Sequence, residues 1–139
     1  MLKIIGRQIN RGQEDTDIIE FITEGKMRNK GDSIYLQYDE GDISGMAGCR
    51  TMLKITDKRI RMKRFGGDVS LDTVIDFERG KRFIGVYDTP YGSIEMEVLT
   101  NMITNKIDKE NAKGTIDIDY HMNLKGLSGG RNVLNIEIM

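Results

Sequence analysis

Proline is nearly missing from this sequence, which holds a single one, Pro90, among 139 residues. Proline cannot donate a ladder hydrogen bond, so its scarcity suits a chain that spends most of its backbone in sheets. Cysteine is as rare: Cys49 stands alone. It cannot form an intramolecular disulfide, which argues against an oxidised secreted scaffold. Tryptophan is absent and histidine occurs once, as His121. Neither sign of charge prevails, with 21 basic against 22 acidic residues and a net charge of −1. No global field therefore draws the chain to nucleic acid or to an anionic membrane, and such binding would need a local patch. No apolar run approaches the roughly 20 residues of a membrane helix, and the N-terminal MLKIIGRQIN lacks the pattern of a signal peptide. The expectation is a cytoplasmic protein without membrane segments, formed by one domain over residues 1–139. A chain of this size buries about 70% of its unfolded surface, enough for a core without disulfides or metal.

What the sequence does have is alternation. Ile94, Met96 and Val98 alternate with Ser93, Glu95 and Glu97. Ile116, Ile118, Tyr120, Met122 and Leu124 alternate with Thr115, Asp117, Asp119, His121 and Asn123, and the same period runs through Ile34, Leu36, Tyr38 and through Leu134, Ile136, Ile138. Period two marks strands with one wet face. Weaker strands are predicted at 2–9, 17–25, 50–56, 58–65, 68–77 and 82–88. After Val98 the apolar positions move to Ile103 and Ile107, a change of parity that a β-bulge would produce. Glycine-containing connections separate these runs, and most are short, which favours an antiparallel meander. About eight to ten strands with no covering helix bury their apolar face best by curling into a barrel. The fold predicted is all-β: a single antiparallel meander β-barrel, with a two-sheet sandwich as the alternative.

With its strands in order, the chain resembles the YwiB-like family, a bacterial domain of unknown function with a calycin-like (lipocalin-type) barrel. The resemblance rests on IEFITEG (19–25), IYLQYDE (34–40), RFG (64–66), YDTPYGSIEMEVLT (87–100), GTIDIDYHM (114–122) and NVLNI (132–136). It implies the barrel but no reaction, cofactor or catalytic residue. Lipocalin-type barrels often hold small apolar ligands, yet fold alone does not assign function.

Candidate sites follow from parity. Arg64 continues the inward positions of Ile60 and Met62, where an unpaired charge would be costly. Glu20, Tyr38 and Tyr120 are its candidate partners, and a second reading makes it the counter-charge for an anionic ligand. Met62, Met96 and Met122 also fall on inward parity, as adaptable lining for a ligand or as core filling. Thr89-Pro90-Tyr91-Gly92 has the residues of a tight turn, with Tyr87 and Tyr91 flanking a barrel end or a ligand mouth. Lys58, Arg59, Arg61 and Lys63 form the densest basic run, near Lys54. It reads as a solvated outer face paired with Glu95 and Glu97, or as a track for a phosphate backbone. Only Phe65 is adjacent as a stacking ring. Asp117, Asp119 and His121 share a face but emerge about 7 Å apart along the strand, so they do not converge on a metal. No P-loop or Rossmann signature occurs, and nothing in the sequence sets Ser93 or Ser128 beside His121. The leading expectation is a small-ligand-binding barrel, the ligand apolar or anionic, with no reaction assigned and no metal or cofactor. The alternative is an interaction protein whose basic face binds RNA or an RNA-associated protein, and a third is action through homodimerisation.

Overall fold

The structure, a computed structural model, describes residues 1–9, 16–39, 49–66, 73–89, 92–124 and 128–139. These form eleven strands: β1 (Leu2–Ile9), β2 (Thr16–Thr23), β3 (Gly25–Lys30), β4 (Ser33–Asp39), β5 (Cys49–Ile55), β6 (Arg59–Gly66), β7 (Thr73–Glu78), β8 (Arg82–Thr89), β9 (Gly92–Asp108), β10 (Lys113–Leu124) and β11 (Ser128–Ile138). All pairs are antiparallel. Among the described residues no helix is long and apolar enough to cross a membrane.

The all-β meander stands, but the barrel does not close. One sheet of six strands runs β2-β1-β11-β10-β9-β8 and one of five runs β3-β4-β5-β6-β7. The first and last strands do meet, from Leu2↔Ile138 to Ile9↔Arg131. Neighbours thus follow chain order all the way round, with ladders interrupted at two seams, between β2 and β3 and between β7 and β8. The first seam also explains why the strand count exceeds the expectation. Residues 17–25, read as one strand, change sheets at Glu24. The new strand, GKMRNK, has Met27 as its only apolar residue and so carries no period-two signal.

Gly25 stands at that change, packed directly on the buried Leu2 side chain, which would have to shift to admit a Cβ there. At the second seam, Gly80 N donates to Thr100 O at 2.9 Å and Thr100 N to Lys81 O at 3.3 Å, so the 79–81 turn is tied to β9. These bonds continue the β8–β9 register past Arg82↔Leu99, and the register of β9 against β10 slips just beyond Thr100. Tyr120 faces Thr100 while Asp119 faces Met102, leaving Asn101 as the extra residue. That is the bulge that the parity change between Val98 and Ile103 predicts.

The alternating apolar positions meet between the sheets. Leu36, Leu53, Ile60 and Phe77 from the smaller sheet and Val98, Ile116, Ile118 and Ile136 from the larger are wholly buried. At about 25 cal/mol per Å2, this burial is the main favourable contribution to folding. Val69 and Leu71, read as part of a strand, lie outside the described residues, as does the glycine-rich stretch 41–48. Val74 is exposed while Ile75 and Phe77 are buried, as a strand requires.

Gly114, at φ 143°, starts the inner face of β10 where a Cβ would collide with the Lys106 carbonyl and Ile107 Cα. Gly114→Ala is expected to lower unfolding free energy by roughly 2–4 kcal/mol, combining strain and steric conflict. Urea denaturation checks this, and an unchanged midpoint would contradict the packing described for the β9–β10 hairpin.

Candidate functional site

The inward residues singled out by parity fall into two groups. Tyr38, Met62 and Met96 are buried core residues, at 2%, 2% and 0% exposure. Arg64 stands in a cross-strand row, Tyr38↔Thr51↔Arg64↔Thr73, where the inner layer of the smaller sheet turns polar. Tyr120 faces it from β10, its ring 4.8 Å from that of Phe77. Burial pushes the Tyr120 hydroxyl above its ordinary pKa, and the nearby Arg64 charge opposes the rise. Glu20, named as a partner for Arg64, instead pairs with Lys3 at 3.2 Å on the outer face. The reason is parity: Glu20 lies opposite Ile5, on the solvent side of β1. Met122 reaches a concavity described below. Tyr87 lies in β8 opposite Ile94, and Thr89↔Gly92 pairing brackets a two-residue connection. The Tyr87 side chain, Pro90 and Tyr91 lie outside the described residues.

The outer face of the smaller sheet is basic well beyond the run in β6. Antiparallel register aligns Arg28, Tyr35, Lys54, Arg61 and Asp76 in one row across all five strands. A second row aligns Lys26, Gln37, Met52, Lys63 and Val74. With Lys30, Arg50 and Arg59, the face carries eight exposed cationic side chains against the carboxylates of Asp39, Asp76 and Glu78. Lys58 is exposed in the turn between β5 and β6.

The partner of the stripe is Asp76, not Glu95 or Glu97. Arg59 Nη2 lies 2.9 Å from Asp76 Oδ2 and Arg61 Nε 2.8 Å from Oδ1. Asp76 sits directly across the ladder, whereas Glu97 is on the other sheet and holds Arg82 at 2.6 Å. The Arg61 hydrogen bond, with help from Arg59, holds the Asp76 carboxyl below its ordinary pKa despite partial burial. Two aromatic rings share this face. Lys54 Nζ stands 6.0 Å from the Tyr35 ring centre and Lys63 Nζ 5.8 Å from that of Phe65. Phe65 was legible as a neighbour in sequence. Tyr35 was not, because only pairing of β4 with β5 sets it beside Lys54. A concavity of about 200 Å3 opens between Lys54, Thr56, Arg59 and Arg61.

The outer face of the larger sheet differs. Asp119 and His121 share a face, as their spacing predicts, and both are engaged by neighbouring strands. Arg131 grips Asp119 with Nε at 3.0 Å and Nη2 at 2.5 Å. Asn101, the bulge residue, donates from Nδ2 to Asp119 Oδ1 at 3.2 Å and to His121 Nδ1 at 2.9 Å. Asp117 accepts from Asn135 instead. Asp119 and His121 thus share Asn101 while Asp117 turns to Asn135, and no metal-ligating group of three occurs among the described residues. The Arg131 hydrogen bond holds the Asp119 carboxyl below its ordinary value, against partial burial. A concavity of about 620 Å3 lies alongside, its walls including Ile9, Arg82, Leu99, His121, Met122 and Arg131.

Two titrations follow. Stability from a depressed carboxyl is present above its unfolded pKa, near 3.9, and is lost as pH falls through the lower folded value. Arg131→Gln removes the depression at Asp119, so the acid-unfolding midpoint should move to higher pH, read by circular dichroism; an unmoved midpoint counts against the pair. For Tyr120 the sign reverses. Its stability is intact below the unfolded value near 10 and declines as pH rises toward the raised folded value. Tyr120 should therefore ionise only as the protein unfolds in alkali, read by absorbance near 295 nm, and Tyr120→Phe should lower the amplitude of that late step by one tyrosine.

The comparisons with known proteins agree with this architecture and give no activity. A family model described as "Domain of unknown function (DUF1934)" matches residues 2–136. The crystal structure of the YwiB protein from Bacillus subtilis is similar at a TM-score of 0.76 and 25% identity, over 99% of this chain and 88% of that one. The calycin-like, all-β fold is shared with that neighbour. No curated protein matches the sequence.

Proposed function

Because the chain belongs to the DUF1934 family, whose description names no activity, we propose from its surface that it is a polyanion-binding module using the five-stranded sheet, with single-stranded RNA as the ligand class. The observation that carries this reading is the charge segregation. A chain with net charge −1 sets eight exposed cations against three carboxylates on one sheet face. The register aligns them into rows about 4.8 Å apart from strand to strand, a spacing that lets an extended backbone find successive cations.

Stacking adds to charge. Single-strand binders combine a basic track with aromatic platforms, worth about 1–3 kcal/mol per stacked base. Tyr35 and Phe65 stand within the basic field, each beside a lysine ammonium. Arg59 and Arg61, oriented by Asp76, border a hollow large enough for a phosphate group. A duplex is a poorer fit, because no helix is available among the described residues to enter a groove.

The ligand reading built on Arg64, Tyr38, Tyr120 and the inward methionines has less behind it. Met62 and Met96 are packed as core. What favours it is the polar inner row through Arg64 alone.

Fluorescence anisotropy with a labelled 12-nucleotide oligo(U) tests the proposal. Binding should weaken with salt, with a logarithmic slope of about −0.7 per neutralised phosphate. The double variant Lys54→Glu/Lys63→Glu should bind at least about tenfold more weakly and lose about 1.4 from that slope. Tyr35→Ala should lower affinity at all salt concentrations by about 1–3 kcal/mol. Absence of binding at low salt, or equal binding by the double variant, would remove the proposal.

A further inference from the structure

The six-stranded sheet carries a second surface that the RNA reading does not use. Following the ladders from strand to strand, Ile9 pairs with Arg131, Arg131 with His121, His121 with Leu99, and Leu99 with Arg82. Five consecutive strands thus place these residues in one straight line across the outer face. The line forms much of the wall of the concavity of about 620 Å3, within the range of about 300–1,000 Å3 typical of small-molecule sites. We propose that this groove binds a small amphipathic aromatic anion, its ring on Leu99 and its acid group at the neighbouring His121 and Arg131.

The chemistry comes from how each polar side chain is held. Arg131 turns Nε and Nη2 toward Asp119, and Arg82 turns Nε toward Glu97. A guanidinium clamped in this way is fixed in plane, keeps further N–H donors, and offers a flat cationic face for stacking on a ring. The two arginines are three strand spacings apart, about 14 Å, which admits a fused ring system with an acid substituent.

His121 lies one strand from Arg131 and two from Arg82, and its Nδ1 accepts from Asn101. In the neutral ring the proton then resides on Nε2, which becomes a donor for the acid group. Half-buried Leu99 gives the line an apolar site between His121 and Arg82, and half-buried Ile9 bounds it beyond Arg131. Selectivity follows from charge. The two arginines are matched by Asp119 and Glu97, so the groove carries no net field to attract a polyphosphate or RNA. A singly charged, largely apolar molecule loses little by desolvation there and gains the contact with Leu99.

The probe is 8-anilinonaphthalene-1-sulfonate, titrated by fluorescence into the full chain. Saturable binding is expected, weakened at least tenfold by Leu99→Lys and by Arg131→Gln and unchanged by Val86→Ser, which removes an exposed apolar residue of the edge strand β8. Amide shifts on adding the probe to 15N-labelled wild-type protein should centre on Leu99, His121 and Arg131. Two-fold more or less salt should change the affinity little, unlike that of oligo(U). Non-saturable binding, full affinity in Leu99→Lys, or shifts centred on β8 or on Lys54 and Arg61 would each overturn the proposal. Should either variant fail to fold, the wild-type shift map decides alone.

Discussion

Pairing of the chain's first strand with its last is the contact on which the rest of this molecule depends. β1 lies between β2 and β11, and β11 lies between β1 and β10. The eight-residue ladder from Leu2↔Ile138 to Ile9↔Arg131 therefore joins β1 and β2 to the other four strands of the sheet, and among the described residues no other ladder links them. It also closes the longest loop in the chain. Such a contact gives no return until most of the chain is in place, which is the entropic penalty of non-local β topology. The buried residues Leu2, Ile4, Ile136 and Ile138, packed in the common core, supply the compensating apolar burial.

The two seams give the sheets separate outer faces. Where a closed barrel would spread its exterior evenly round a cylinder, here one face collects lysines and arginines and the other alternates arginine, carboxylate and aliphatic residues. Small features mark the division. Gly25 stands where the chain changes sheets, packed on Leu2, and the bulge at Asn101 adjoins the Thr100 backbone that holds the 79–81 turn. That bulge also supplies the amide that ties His121 to Asp119. One irregularity thus shapes the architecture and organises the groove beside it.

Much of the strand pattern was legible because period-two alternation is local. The wholly buried Ile116, Ile118, Met96, Val98, Leu36 and Ile136 all lie at inward positions of that pattern. The bulge was legible for the same reason, since a parity change needs only the residues on one strand. β3 was not, because a strand at a seam with a polar sequence buries little and shows no period. Among the candidate site residues, the basic character of Arg59, Arg61 and Lys63 was visible, whereas their tie to Asp76 and the neighbouring Tyr35 depend on which strand lies alongside. Arg131, Arg82 and Asn101 gave no signal at all. They are 10 to 39 positions from His121 in the chain and meet it only through register.

By itself, then, the order of residues determined that this chain forms antiparallel strands, which side of most of them faces inward, and where one strand slips. These are consequences of side-chain polarity repeating along a pleated backbone. Only the tertiary structure decided that the sheet divides at two seams and which outward side chains stand in line. The physical reason is that both depend on contacts between strands, which the pattern along any one strand does not specify.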